Sequence, residues 1–335
     1  MARPVVGRFA PSPTGDLHVG SALAALAAWA SARAQGGRFV WRVEDLDAPR
    51  AVPGAAERQM EDARWLGLDW DEVPGFPESL PPTRSGGERG PHGPYRQSAR
   101  GNLYEAALAR LAAAGRLFPC RVSRRDLQEL ASAPHGASGL PPYPARLRPA
   151  ALAPGWFEAL GRRPDCALRL RVDDGPVAFD DRVFGHVVED VRQSVGDFVL
   201  KRRDGVYAYQ LAVVVDDGAM GVTEVVRGAD LLDSTARQTV LARALGLRVP
   251  ACAHVPLLVR ADGEKLSKRD GALAVGALRE AGVRPEAVVG WLAGALGQSD
   301  APRAPAEVAA AFDWSRVRPD PVPVPDGLAD RLRAL

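Results

Sequence analysis

"VVGRFAPSPTGDLHVGSALAALAAWASARAQGGRFVWRVEDLD", residues 5–47, decides the architecture. Val5 to Phe9 reads as a short strand that runs into a Pro/Gly turn, "APSPTGDLH". From about Gly20 to Gln35 an alanine-rich helix follows, with Leu23, Leu26, Ala27 and Ala30 spaced to share one side. "GGRFVWRVEDLD" is then an apolar strand that ends in the carboxylates Glu44, Asp45 and Asp47. Strand, helix, strand in that order is a βαβ unit. The sheet of such a unit is parallel, and its functional loops lie at the carboxyl ends of the strands.

The whole chain has 335 residues, 46% of them hydrophobic, enough for one large domain or two modest ones. Its 43 basic and 41 acidic residues leave a net charge of +2, so any nucleic-acid surface is a local patch and not a global field. Cys120, Cys166 and Cys252 are an odd, scattered set that fits a reducing cytosol better than a disulfide framework. The apolar run "SALAALAAWASA" is too short to cross a membrane and lacks the flanks of a signal peptide, so the expected location is the cytoplasm.

Further along, a helix is expected from about Ala55 to Leu66, then a mobile Pro/Gly-rich loop from Pro74 to Pro94. "YRQSARGNLYEAALARLAAAG" patterns as an amphipathic helix. From Leu117 to Pro154 the pattern breaks into short Pro- and Arg-rich pieces that suggest an inserted subdomain. Between Cys166 and Val226 strand-like runs dominate, notably "DFVLKRR" and "VYAYQLAVVVDD". The helix "DSTARQTVLARALG" leads into the strand "HVPLLV". Two or three short helices follow Asp270, and "RPDPVPVPDG" reads as a loosely attached tail.

Two loops carry chemistry. "LHVGS" sets His18 and Gly20 at the start of the first helix, where unpaired backbone N–H groups and partial positive charge suit a phosphate. Gly20 lets a ligand approach the backbone, and His18 offers a hydrogen-bond donor. Late in the chain stands "GEKLSKRDG", residues 263–271, which holds Lys265 and Lys268; Lys201 is the only other lysine. A lysine kept among so many arginines serves a purpose beyond charge. Its ammonium is a compact point charge on a flexible stem, able to follow charge migrating along a triphosphate toward pyrophosphate. Alone, the first loop is an ordinary helix cap and the second a solvated turn; the pair is far more specific.

"HVGS" and "KLSKR" together resemble the signature motifs of class I aminoacyl-tRNA synthetases. "GRFAPSPTGDLHVGS", "WRVEDLD", "YRQSAR", "YAYQLAVVVDD" and "VVRGADLLDSTARQ" are similar, in the same order, to segments of the glutamyl-tRNA synthetase catalytic domain, from Gly7 to about Gly271. The resemblance implies an α/β fold: a Rossmann-like catalytic domain with a parallel sheet, an inserted subdomain and a short C-terminal helical piece. It implies ATP, accompanied by Mg2+, at His18, Gly20, Ser21, Lys265, Ser267 and Lys268, with His18, Lys265 and Lys268 catalytic. The substrate it implies is L-glutamate. A dicarboxylic amino acid needs two cationic partners and an anionic one, and Arg8, Arg227 and Glu44 supply them, with Tyr209 adding a hydroxyl. Ala10 and Ser12 complete the amino-acid site by resemblance. Singly these residues have plain readings, as solvated or mutually paired charges and a core tyrosine.

On this reading residues 1–116 and 166–260 are the two halves of the catalytic region, 117–165 the insert, and 261–335 the lysine loop with its helical piece. That last stretch is too short for an anticodon-binding domain of typical size, about 100 to 200 residues. The chain therefore resembles the shorter glutamyl-queuosine tRNA(Asp) synthetase branch, which the serine at Ser21 also fits. The branch implies transfer of glutamate to queuosine at the wobble position of tRNA(Asp), by a monomer. Rival readings are a short glutamyl-tRNA synthetase charging a tRNA 3′ end, a non-catalytic tRNA-binding paralogue, and a nucleotidyltransferase. The last leaves Arg8, Glu44, Tyr209 and Arg227 unexplained, and the paralogue should have lost His18, Lys268 or Arg227.

Members of the family often bind zinc in the insert through Cys-x-Cys and Tyr-x3-Cys. Here Cys120 and Tyr143 remain, while Val122 and Leu147 occupy the other two places, so no zinc is expected and packing takes its role. Arg121, Arg124 and Arg125, and Lys201, Arg202 and Arg203, are candidate RNA phosphate contacts.

Overall fold

The computed structural model describes residues 4–75, 88–123, 125–127, 141–161, 165–260, 262–264, 266 and 273–335. Strands β1 (Val6–Phe9) and β2 (Arg38–Trp41) pair in parallel, Val6 opposite Arg38 through Phe9 opposite Trp41. Helix α1 (Val19–Ala34) is the crossover between them, as the opening stretch predicts. It is buried on nearly every side, and its run of alanines lets neighbours come close. Gly7 shows how close: a Cβ there would stand 3.1 Å from that of Ala32.

Helices α2 (Ala55–Trp65) and α3 (Gly101–Ala113) follow, then β3 (Leu117–Cys120) and β4 (Ala167–Leu170). Next come β5 (Val177–Asp181), β6 (Gly185–Glu189) and β7 (Val199–Lys201). Helix α4 (Tyr209–Ala219), β8 (Glu224–Gly228), α5 (Ser234–Ala244) and β9 (Ala251–Val255) complete the central region. β8 and β9 are parallel, and β9 also meets β5 in parallel where Asp181 faces Cys252. β1 lies against β8, with Thr223 N donating to Val6 O at 3.0 Å. The sheet is not parallel throughout: β5 and β6 pair antiparallel, and β3, β4 and β7 form a separate antiparallel sheet beside the core.

Several readings need correction. "VYAYQLAVVVDD" is a helix from Tyr209 and not a strand. Its β-branched valines favour extended structure locally, but Leu211, Ala212, Val214 and Val215 recur at helical spacing and bury together against Leu108, Leu200 and Val240. Burial of that stripe overrides propensity. The tail is also docked. β10 (Leu258–Val259) pairs in parallel with β11 (Val322–Pro323), and Val317, Val324, Leu328 and Leu332 are buried in the same core as α1. Four helices follow the lysine loop where two or three were expected: α6 (Val275–Glu280), α7 (Pro285–Ala295), α8 (Pro305–Ala310) and α9 (Leu328–Arg333).

In the Pro/Gly loop expected over residues 74–94, residues 76–87 lie outside the described residues; its base is closed by paired backbone bonds between Val73 and Arg89. The helix expected from Tyr95 begins only at Gly101, after a single 3-10 turn at Gln97–Ala99.

Candidate active site

The turn after β1 presents the first helix as expected. His18 is the N-cap of α1, and its Nδ1 accepts from Gly20 N at 3.0 Å, which satisfies one of the donors a helix start leaves over. With Nδ1 accepting, the proton of the neutral ring sits on Nε2. A Cβ on Gly20 would lie 3.2 Å from Nδ1 and crowd this cap. Ser21 is exposed beside it. Lys265, Ser267 and Lys268 lie outside the described residues. The chain on either side of them is placed: Leu266 packs against the core of α1, Arg260 N bonds Glu264 O at 2.8 Å, and Ala274 forms an antiparallel bridge with His18. Val275 N donates to Leu17 O at 2.8 Å. The end of the lysine segment is thus stitched to the "LHVGS" turn.

Arg8, Glu44, Tyr209 and Arg227 converge, although they come from three strands' surroundings and one helix. Arg8 is buried in β1, its Nη1 donating to Val226 O at 3.1 Å. Arg227 lies within β8 and not after it, and its Nη1 is 3.5 Å from the hydroxyl of Tyr209, the first residue of α4. Glu44 stands three residues beyond β2, held there by its N–H on Pro11 O at 3.0 Å. That bond also fixes the segment carrying half-buried Ala10 and exposed Ser12, which Gln59 clamps by donating to the carbonyls of Ser12 and Gly15.

A second layer supports these groups, and the sequence reading missed it. Arg42, fully buried, reaches Asp217 at 2.7 Å and Glu44 at 3.3 Å. Asp217 also lies 3.4 Å from Arg8 Nε. Its neighbour Asp216 accepts from Arg100 at 2.5 Å, Tyr104 at 2.9 Å and Gln97 at 2.9 Å. Two signals were available: an arginine between Trp41 and Val43 in an apolar strand, and two aspartates closing the run "VVVDD". Charges in apolar runs are rarely buried without partners.

The electrostatics leave room for a zwitterion. Burial alone would raise the Asp217 carboxyl, but Arg42 and Arg8 outweigh it and hold it below the usual carboxylate range. Burial pushes Glu44 up, only partly offset by Arg42 and Arg8. Burial likewise lowers Arg8, more than Asp217 restores. A carboxylate beside Arg8 and an ammonium beside Glu44 would each add to the partial compensation that Asp217 and Arg42 give.

Arg227 is held on its other edges by His254 Nε2 at 3.0 Å, Gln238 at 2.8 Å and Thr235 at 2.9 Å. His254 is fully buried, with Nδ1 2.6 Å from Asp181. Asp181, Cys252 and His254 are the one group among the described residues with three metal-type donors in reach of one another. Both imidazole nitrogens are engaged, and burial pushes the Cys252 thiol up to about 12, so the group is built as a hydrogen-bond chain.

In the insert, Cys120 Sγ lies 3.4 Å from the hydroxyl of Tyr143, which donates to Leu147 O at 3.1 Å. Phe118, Leu127, Val122, Leu147 and Leu152 pack around them, so apolar contact fills this space. Of the arginine-rich clusters, Arg121, Arg202 and Arg203 are exposed, Arg121 pairing with Asp165 at 3.0 Å and Arg202 with Asp204 at 2.5 Å. Arg125 is exposed and Arg124 lies outside the described residues. Lys201 is no candidate for phosphate: it is 2% exposed, paired with Glu105 and lying 5.1 Å from the centre of the Tyr207 ring.

A parallel βαβ core with a helix-start turn bridged to a late lysine segment, beside a charged pocket, defines a nucleotide-dependent synthetase. Residues 4–303 match the family described as tRNA synthetases class I (E and Q), catalytic domain, and the chain belongs to that family. It is 50% identical to a Glutamyl-Q tRNA(Asp) synthetase of Symbiobacterium thermophilum over 98% of both chains, and 46% identical to one of Nitratidesulfovibrio vulgaris over 98% of both. Among solved structures it is similar to the glutamate-tRNA synthetase of Elizabethkingia anophelis, with a TM-score of 0.81 and 29% identity, covering 98% of this chain and 70% of that one. No helix among the described residues is long and apolar enough to cross a membrane.

Proposed function

We propose that this chain activates L-glutamate with ATP and transfers it to queuosine at the wobble position of tRNA(Asp). The observation that carries the reading is its 50% identity to a Glutamyl-Q tRNA(Asp) synthetase along 98% of both sequences. The convergence of Arg8, Glu44, Tyr209 and Arg227 supports glutamate as the amino acid.

ATP lies with its phosphates on the start of α1, where backbone N–H groups and the Nε2–H of His18 meet them, near Gly20 and Ser21. Its Mg2+ arrives with the nucleotide as part of the substrate, since the donors at this turn suit an anion. Lys265, Ser267 and Lys268 supply further phosphate contacts, as the family resemblance implies. Arg8 and Arg227 take the two carboxylates, Glu44 the ammonium and Tyr209 orients the amino acid, alongside Ala10 and Ser12. A carboxylate oxygen of the substrate attacks the α-phosphorus in line and pyrophosphate leaves, with His18, Lys265 and Lys268 balancing the charge that develops. No protein nucleophile is needed. A ring hydroxyl of queuosine then attacks the activated carbonyl, and AMP leaves.

The insert spans residues 117–165 and is held by apolar packing around Cys120 and Tyr143 in place of zinc, since Val122 and Leu147 have no donor to offer. Arg121, Arg125, Arg202 and Arg203 face RNA phosphates. Incubation of ATP and labelled glutamate with tRNA(Asp) from cells that make queuosine and from cells that do not tests the reading. Label should be retained by the queuosine-containing RNA alone. Equal labelling of both pools rejects it in favour of a short glutamyl-tRNA synthetase.

A further inference from the structure

Arg227 is the only one of the pocket's residues whose guanidinium is gripped by a buried histidine, and the contacts behind that histidine fix its tautomer. Asp181 Oδ1 accepts from the backbone N–H groups of Val183 at 2.9 Å and Phe184 at 3.0 Å, and also faces His254 N at 3.3 Å. Its Oδ2 faces His254 Nδ1 at 2.6 Å. A carboxylate in that position can only accept, so the ring proton is on Nδ1 and Nε2 is left as an acceptor for Arg227 Nε–H at 3.0 Å. β5, β9 and β8 thus carry one chain of contacts, from Asp181 through His254 to Arg227.

We propose that Asp181 and His254 are positioning residues for glutamate: they aim the Arg227 guanidinium and compensate its buried charge, so that the second Nη2 N–H, beside the one given to Thr235, meets a substrate carboxylate. This rests on the reading of Arg227 as a glutamate contact. Neither residue touches the reacting atoms. The dyad acts on binding of the amino acid and leaves ATP binding alone.

Burial holds His254 below its ordinary range, with Arg227 and Arg8 acting in the same direction and Asp181 against it. The groups around the ring are Asp181 on β5, Cys252 on its own strand, Arg227 on β8, Thr235 on α5 and Arg8 on β1. Protonation would place a second N–H against Arg227 Nε–H and break the chain of contacts. The affinity for glutamate should therefore fall on an acid limb below pH 6.5, the ordinary histidine value.

The test is ATP–pyrophosphate exchange in the presence of tRNA(Asp), with separate KM values for glutamate and ATP. His254→Leu removes the acceptor and should raise the glutamate KM on the order of tenfold to a hundredfold, with the ATP KM unchanged. His254→Gln, whose amide oxygen reaches the place of Nε2, should restore most of the affinity and lose the acid limb. Asp181→Asn serves wherever His254→Leu loses its thermal transition. The three backbone N–H groups hold the amide oxygen at the place of Oδ1, so its NH2 faces Nδ1 and drives the ring proton to Nε2. It should raise the glutamate KM with little change in shape. Arg227→Ala is the control for the underlying reading: an unchanged glutamate KM in that variant removes Arg227 from the site. A raised KM in Arg227→Ala, with normal values in His254→Leu and Asp181→Asn, overturns the positioning role alone.

Discussion

Val275 donates its N–H to the carbonyl of Leu17 at 2.8 Å, and this bond joins the segment that follows the lysines to the turn that opens α1. The adjacent bridge between Ala274 and His18 extends the join by one residue. On the proposed function, two motifs separated by most of the chain act on one nucleotide. Lys268→Ala should lower glutamate-dependent pyrophosphate exchange on the order of a hundredfold or more, through lost stabilisation of the transition state. Lys268→Arg should not restore it, because a planar fork cannot follow the migrating charge as an ammonium does. Full activity in Lys268→Arg would show that charge alone suffices.

Gly20→Ala separates binding from stability. Alanine is the better helix former, by about 1 kcal/mol. Its Cβ would sit 3.2 Å from His18 Nδ1 and disturb a cap of similar worth, so the melting temperature should hardly move. The ATP KM should rise several-fold, because the ring proposed to meet the phosphates is displaced. A rise in the glutamate KM instead would place the fault in the wrong pocket.

Asp217 bridges Arg8 and Arg42, and Asp217→Asn leaves two buried guanidiniums short of an anion. Breaking such an arrangement costs about 3–5 kcal/mol, measurable by urea unfolding. The glutamate KM should rise with it, because Arg8 loses the group that fixes its Nε. A variant of unchanged stability would mean that the network is looser than its geometry indicates.

Asp62 carries a pH signature of unusual sign. Burial raises its carboxyl from 3.8 to about 6, against the pull of Arg279 and a backbone bond from Gly276. A raised folded value means the native state binds the proton more tightly, so the ionised group lowers stability at neutral pH, and that cost fades as pH falls from 6 toward 3.8. Asp62→Asn, whose amide oxygen can still accept from Gly276, should stabilise the protein at pH 7.5 by about 1–3 kcal/mol. The gain should shrink when unfolding is repeated near pH 5. A variant less stable at pH 7.5 would show that the Arg279 contact dominates.

The insert makes a metal prediction. The purified protein should contain no zinc, since Val122 and Leu147 interrupt the donor set around Cys120 and Tyr143. Introducing Val122→Cys and Leu147→Cys together should create a site that takes up zinc, read by elemental analysis. Zinc in the unaltered protein would contradict the packed arrangement.

The opening βαβ unit was legible because its signals are local: an apolar strand, a Pro/Gly turn, a capped helix and a second apolar strand within about forty residues. The charged pocket was legible because Arg8, Glu44, Tyr209 and Arg227 sit in segments that resemble a known family. Tyr209 was placed on the wrong kind of element, since "AVVV" has strand propensity and only its packing against α3 and α5 makes it helical. The pairing of the groups behind the pocket was illegible for a different reason. Arg42 finds Asp217 175 residues away, and His254 finds Asp181 73 residues away. No local pattern encodes such partners. Lys201 shows the same limit in reverse: a charge run read as RNA phosphate contacts conceals one member turned inward to Glu105 and Tyr207.

The site of attachment tests the central claim most directly. After reaction of ATP and labelled glutamate with queuosine-containing tRNA(Asp), complete nuclease digestion separates the modified wobble nucleoside from the 3′-terminal adenosine. The label should leave with the queuosine nucleoside, in an amount matching its content in the RNA. Label on the terminal adenosine, with none on queuosine, would contradict the account and make the chain a conventional charging enzyme.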